Sequence, residues 1–105
     1  MGKKDVLEII RQFRAALQQQ GIKVDKIILY GSWAQGNAHE DSDIDLVVIS
    51  KDFEKKGYWD RIQILSEAIY KVFAPIEAVA LDPEEWNKGD RMICEYAKKG
   101  EVLLG

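Results

Sequence analysis

The stretch Asp43-Ile44-Asp45-Leu46-Val47-Val48-Ile49-Ser50 constrains the chain most. Ile44, Leu46 and Val48 alternate with Asp43, Asp45, Val47 and Ile49, which is the period of a β-strand and puts both aspartates on one face. Upstream, Ile27-Ile28-Leu29-Tyr30 is a nearly continuous apolar run ending at Gly31, the pattern of a strand buried on both faces. Residues 31–42 turn small and polar and predict one short helical turn beginning near Ser32, followed by a loop.

Val6, Ile9, Ile10, Phe13 and Leu17 recur at helical spacing between Asp5 and Gly21, a core-covering first helix. Ile62, Leu65, Ile69, Val72 and Phe73 mark a second long helix, which Pro75 closes. Ile76 to Leu81 reads as a third strand, and the charged segment from Lys51 to Gly57 as a loop. Asp82-Pro83-Glu84-Glu85 is a helix start, with Asp82 as cap, Pro83 in the first helical position and Glu85 reaching back. Gly89 breaks that helix, Asp90 caps a last one running to Gly100, and Glu101 to Leu104 adds a short edge strand.

The fold class expected is α/β (α+β): a small mixed sheet covered by helices. The strand-helix-strand segment from 43 to 81 predicts parallel strands joined by a right-handed crossover. The shorter connection between the first two strands predicts an antiparallel pair. Gly31-Ser32, Asp43 with Asp45, and Glu77 then meet at one edge of the sheet.

With 105 residues the chain is expected to form one domain, residues 1–105, without room for a second lobe. Its net charge of −3 argues against general binding to nucleic acid. Cys94 is the only cysteine, which excludes an internal disulfide and a thiolate metal cluster. No secretory leader, lipidation signal or bilayer-spanning run is visible, so the sequence reads as cytoplasmic and without a membrane partner.

Two carboxylates at i and i+2 on a strand lie roughly 7 Å apart at their α-carbons. Their oxygens can share a pair of divalent ions about 3.5–4 Å apart. Mg²⁺ suits them, because it takes oxygen ligands and is commonly held by a few carboxylates together with substrate phosphates. Glu77 on the neighbouring strand is either a third ligand or a solvent-facing residue of an edge strand, and the strand register decides which. Gly31 lets the backbone approach a phosphate closely, and the Ser32 hydroxyl and the amides of a helix start are donors for it. Together these parts describe phosphoryl or nucleotidyl transfer, where positioning and charge neutralisation supply most of the catalysis.

Gly31-Ser32-Trp33-Ala34-Gln35-Gly36 after one strand, with Ser42-Asp43-Ile44-Asp45 opening the next, resembles the DNA polymerase beta-like nucleotidyltransferase superfamily, and within it the minimal nucleotidyltransferases, or MNT-domain proteins. The resemblance runs from the leading helix to Glu77. It implies that Gly31 and Ser32 bind the triphosphate of ATP or another nucleoside triphosphate. It also implies that Asp43, Asp45 and Glu77 are catalytic and hold two Mg²⁺ ions. Aspartate is the more usual residue at position 77, and basic residues often stand where this chain has Trp33 and Gln35. The family is often paired with a HEPN-domain protein as toxin and antitoxin, with AMP added to the partner. The implied function is therefore transfer of a nucleotide to a hydroxyl of a partner protein, or neutralisation of that partner by complex formation alone. A small-molecule acceptor would call for a further domain.

Other readings of the same residues are weaker. Asp41, Asp43 and Asp45 imitate the start of an EF-hand loop, but Leu46 replaces its glycine and Asp52 its bidentate glutamate. A P-loop is excluded, since no Lys-Ser or Lys-Thr follows Gly36. Trp33 either stacks on a base or packs on the helix below or against a partner. His39 reads as a solvated loop residue, Cys94 as core, and Lys55-Lys56 and Lys98-Lys99 as surface charge.

Overall fold

The computed structural model describes residues 2–39 and 41–104, the side chain of Leu104 excepted. In chain order the elements are α1 (Lys3–Gln19), β1 (Lys26–Tyr30), α2 (Ser32–Gln35), β2 (Ile44–Ile49), a 3₁₀ turn (Lys51–Phe53), α3 (Tyr58–Val72), β3 (Ile76–Leu81), α4 (Pro83–Lys88), α5 (Met92–Ala97) and β4 (Glu101–Leu104). The strands form one mixed sheet in the order β3-β2-β1-β4. β1 is antiparallel to β2 and to β4, and β2 is parallel to β3.

Because β1 and β2 are the central strands, their side chains are buried on both faces. On one face Ile27, Leu29, Ile44, Leu46 and Val48 meet Val6, Ile10, Phe13 and Leu17 of α1 and Leu65 and Ala68 of α3. On the other, Ile28, Val47, Ile49 and Leu81 meet Cys94 and Ala97 of α5. The alternation in β2 therefore separates two apolar layers for most of its length, and Asp45 belongs to the α5 layer.

Three details differ from the sequence expectation. The first helix begins at Lys3, ahead of Asp5, whose carboxylate accepts the Gly2 amide at 2.9 Å and so closes the first turn. Lys51–Gly57 contains a 3₁₀ turn that buries Phe53 completely, because the Ser50 hydroxyl accepts the Asp52 amide and tightens the chain. Arg91, in extended conformation, precedes α5 as its cap, so Asp90 does not cap it. The helix start at Asp82 is as expected: its carboxylate accepts the Glu85 amide at 2.8 Å and Glu85 accepts the Asp82 amide at 2.9 Å.

Candidate active site

β1 ends at Tyr30, and Gly31 turns the chain into α2 with φ 72° and ψ −151°, a conformation essentially confined to glycine. A side chain here is excluded a second time, because a Cβ on residue 31 would overlap the Asp45 carboxylate. The Gly31 carbonyl accepts the Ala34 and Gln35 amides, both at 3.1 Å, and so fixes the single turn of α2. Gly36, at φ 80°, ends it. The loop that follows is pinned twice. Trp33 is only 8% exposed within the α1 layer, and its indole Nε1 donates to the Ser42 carbonyl at 3.3 Å. Ser42 in turn accepts the His39 amide on its hydroxyl at 2.8 Å and donates its own amide to the His39 carbonyl at 3.0 Å. Of the three roles open to Trp33, packing on the helix below is the one it fills, and it thereby places Asp43.

Asp43 lies one residue ahead of β2, and the Ile44 amide donates to the Pro75 carbonyl at 2.8 Å, which ties the start of β2 to the start of β3. In that register Asp45 pairs with Glu77 on one side and with Tyr30 on the other. Gly31, Asp45 and Glu77 therefore converge at one end of the sheet, with Asp43 beside them. Burial holds the Asp45 carboxyl above its ordinary range. The negative charges of Glu77 and Asp43 push in the same direction, as does a hydrogen bond with Glu77 that requires the proton.

An oxygen-only set in which Glu77 and Asp43 both raise the proton affinity of Asp45 lacks positive charge, and its chemistry fits a hard divalent cation. Asp43, Asp45 and Glu77 are the residues that could hold it. Among the described residues, no three such side chains are already closed around a single point. The Asp45–Glu77 pair is the tight part of the set.

The sequence reading did not single out Tyr30. Its phenol is half-buried and is pushed up to about 12 by burial first and then by the charges of Asp45 and Glu77. It therefore stays protonated at neutral pH, a donor on the wall of the acidic cluster. Its place directly before Gly31 and opposite Asp45 in an antiparallel pair is the signal that could have found it. Cys94 is buried among Ile28, Val47 and Leu81, as expected of core.

The comparisons with known proteins agree with this geometry. The chain matches the model of the nucleotidyltransferase domain over residues 10–99. It is 34% identical over 90 residues to MJ1305 of Methanocaldococcus jannaschii, a protein named as a candidate protein adenylyltransferase. That match covers 81% of this chain and 60% of the relative, so the chain spans less than two thirds of the relative's length. A candidate nucleotidyltransferase from Sulfolobus solfataricus superposes with a TM-score of 0.72 at 18% identity, covering 95% of this chain and 80% of the other. A toxin-antitoxin structure with AMP-PNP superposes with a TM-score of 0.66 at 21% identity, covering 90% and 72%. At these identities the structural likeness carries the fold alone.

Proposed function

Because this chain belongs to the nucleotidyltransferase domain family, we propose that it moves AMP, or another nucleoside monophosphate, from a Mg²⁺-bound triphosphate to a hydroxyl of a partner protein. The partner proposed is the HEPN-domain toxin of a toxin-antitoxin pair in which this chain is the antitoxin. One observation carries the reading: the register that sets Asp45 between Glu77 and Tyr30, with Gly31 pressed against its carboxylate. The relative named for protein adenylylation supports the acceptor class, and the toxin-antitoxin neighbour with AMP-PNP, alike in fold, suggests a toxin as partner and an adenine nucleotide.

In this reading the Gly31 backbone and the Ser32 hydroxyl hold the phosphates. Asp43, Asp45 and Glu77 would hold two Mg²⁺ ions, which when bound would supply the positive charge that lowers the pKa of the attacking hydroxyl and neutralises the leaving pyrophosphate. The acceptor oxygen bonds to the α-phosphorus, the bond from that phosphorus to the bridging oxygen breaks, and the hydroxyl proton passes to solvent. Tyr30, protonated, closes one wall of the cluster. Incubated with ATP and Mg²⁺, the HEPN-domain partner should gain the mass of one AMP group. Asp43→Asn and Asp45→Asn should each remove the product; a product that persists in both variants sinks the assignment.

A second reading, neutralisation by complex formation without chemistry, is favoured by the aromatic residues that α3 turns outward. Trp59 and Tyr70 are 77% and 80% exposed, and Phe73, which caps the end of α3, is 89% exposed. If Asp45→Asn protein silences the toxin as well as the parent does, binding is the function.

A further inference from the structure

Residues 31–43, which include the Gly31-Ser32 turn proposed to hold the triphosphate, contain neither lysine nor arginine. Beyond the proposed Mg²⁺, any side-chain cation for the phosphates would come from another element. Beside the C-terminal half of α2 lies an open concavity of about 330 Å³ lined by Lys3, Trp33, Ala34, Gln35, Gly36 and Ala38. Among the described residues Lys3 is the only cation that lines it, and it belongs to the first turn of α1. The Lys3 ammonium donates to the Glu101 carboxylate at 3.0 Å, with both side chains close to half exposed. Glu101 pairs with Leu29 of β1, two residues before Gly31, so the ion pair sits at the same end of the sheet as the glycine turn.

We propose that Lys3 binds the β- and γ-phosphates of the nucleoside triphosphate, exchanging the Glu101 carboxylate for phosphate oxygens when the nucleotide enters. Resting on the nucleotidyl-transfer reading above, the inference deepens it. α1 becomes part of the nucleotide site rather than a cover for the sheet, and Glu101 becomes a competitor that weakens binding. The exchange is favourable because a half-exposed carboxylate pair contributes little, whereas a phosphate already held by a second element at Gly31-Ser32 presents more charge and more acceptors to one ammonium. Trp33, buried below, gives the concavity a rigid floor. Gln35 lines it with an uncharged amide, leaving the ammonium as the source of discrimination between triphosphate and monophosphate.

The test is calorimetric binding of ATP and of AMP, each with Mg²⁺, to the parent, Lys3→Ala, Lys3→Arg and Glu101→Gln. Lys3→Ala should weaken ATP roughly tenfold and leave AMP unchanged. Lys3→Arg should keep the parent's affinity, and Glu101→Gln should tighten ATP by about twofold to threefold. Placing Gln35→Arg in the Lys3→Ala protein should recover most of the loss while tightening ATP little in the parent, a result that a merely structural role for Lys3 would not give. Unchanged thermal unfolding of Lys3→Ala separates the loss from misfolding. If the parent binds ATP and Lys3→Ala binds it equally well, or loses ATP and AMP alike, the assignment of Lys3 is overturned while the nucleotide site stands. A parent that binds no ATP overturns both.

Discussion

At Gly31 two demands fall on one residue: the backbone needs a positive φ, and the space where a Cβ would go is taken by the Asp45 carboxylate. Gly31→Ala should therefore cost about 1–3 kcal/mol in urea unfolding and displace the carboxylate, removing transfer as well. Asp45 makes the opposite prediction for stability. Its folded pKa is raised above the ordinary 3.8, so its contribution to stability is complete below that value and is lost as the pH rises through the folded pKa. At neutral pH the ionised carboxylate is a cost, and Asp45→Asn should raise the melting temperature of the metal-free protein by roughly 2–4 °C, about 0.5 kcal/mol after solvent screening. The gain should vanish when melting is measured below pH 3.8. Both residues were singled out from the sequence, Gly31 as a candidate phosphate turn and Asp45 as a candidate metal ligand. Their mutual contact was not, because it depends on how β1 and β2 pair. Tyr30 escaped for the same reason: a tyrosine ending an apolar run looks like core until its cross-strand neighbour is known.

Among the elements, those that frame the site are held by polar contacts at its far end. Arg61, at the start of α3, donates to the Phe53 carbonyl at 2.6 Å, the Lys56 carbonyl at 3.0 Å, the Ala80 carbonyl at 3.3 Å and the Glu85 carboxylate at 2.6 Å. One guanidinium thus joins the 3₁₀ turn, α3, β3 and α4. Burial works against the ionised Glu85, but the Asp82 amide and the Arg61 charge outweigh it and hold the carboxyl below its ordinary 4.5. Stability from this group is present above 4.5 and lost as the pH falls through the lower folded value. Arg61→Met should cost about 2 kcal/mol in chemical denaturation, since it leaves carbonyls and a half-buried carboxylate without their donor. The cost should shrink below pH 4.5 as Glu85 takes up its proton.

Helix and strand identities followed from periodicity and from Pro83 and Asp82, which act locally. Phe53 was missed, because a single aromatic residue in a charged segment has no periodicity and is buried only through tertiary contacts. The cap of α5 was misplaced by one residue: Asp90 has the chemistry of a cap, but the extended backbone falls at Arg91.

Over the whole molecule, the two central strands divide the interior into an α1/α3 layer and a smaller α5 layer, and the acidic cluster lies at the margin of the smaller one. The sheet order follows from the connection lengths. The parallel pairing of β2 with β3 then brings residues 45 and 77 side by side, which the sequence implied only if its strand boundaries were right. Among the described residues, no helix is long and apolar enough to cross a membrane. What composition could not reveal is the part played by α1. Lys3 reads as an ordinary surface lysine until the fold sets it beside α2.

Nucleotidyl transfer at the acidic end of the sheet, as proposed, leaves its signature in the fate of each phosphate. The most direct measurement is transfer of radiolabel to the HEPN-domain partner from ATP carrying the label at either the α- or the γ-phosphate. The α-label should be transferred with Mg²⁺ present, the γ-label should leave with pyrophosphate, and Asp45→Asn should lower α-label transfer by at least about 10²-fold. Label arriving from the γ-phosphate, or α-label arriving undiminished in Asp45→Asn, would contradict it.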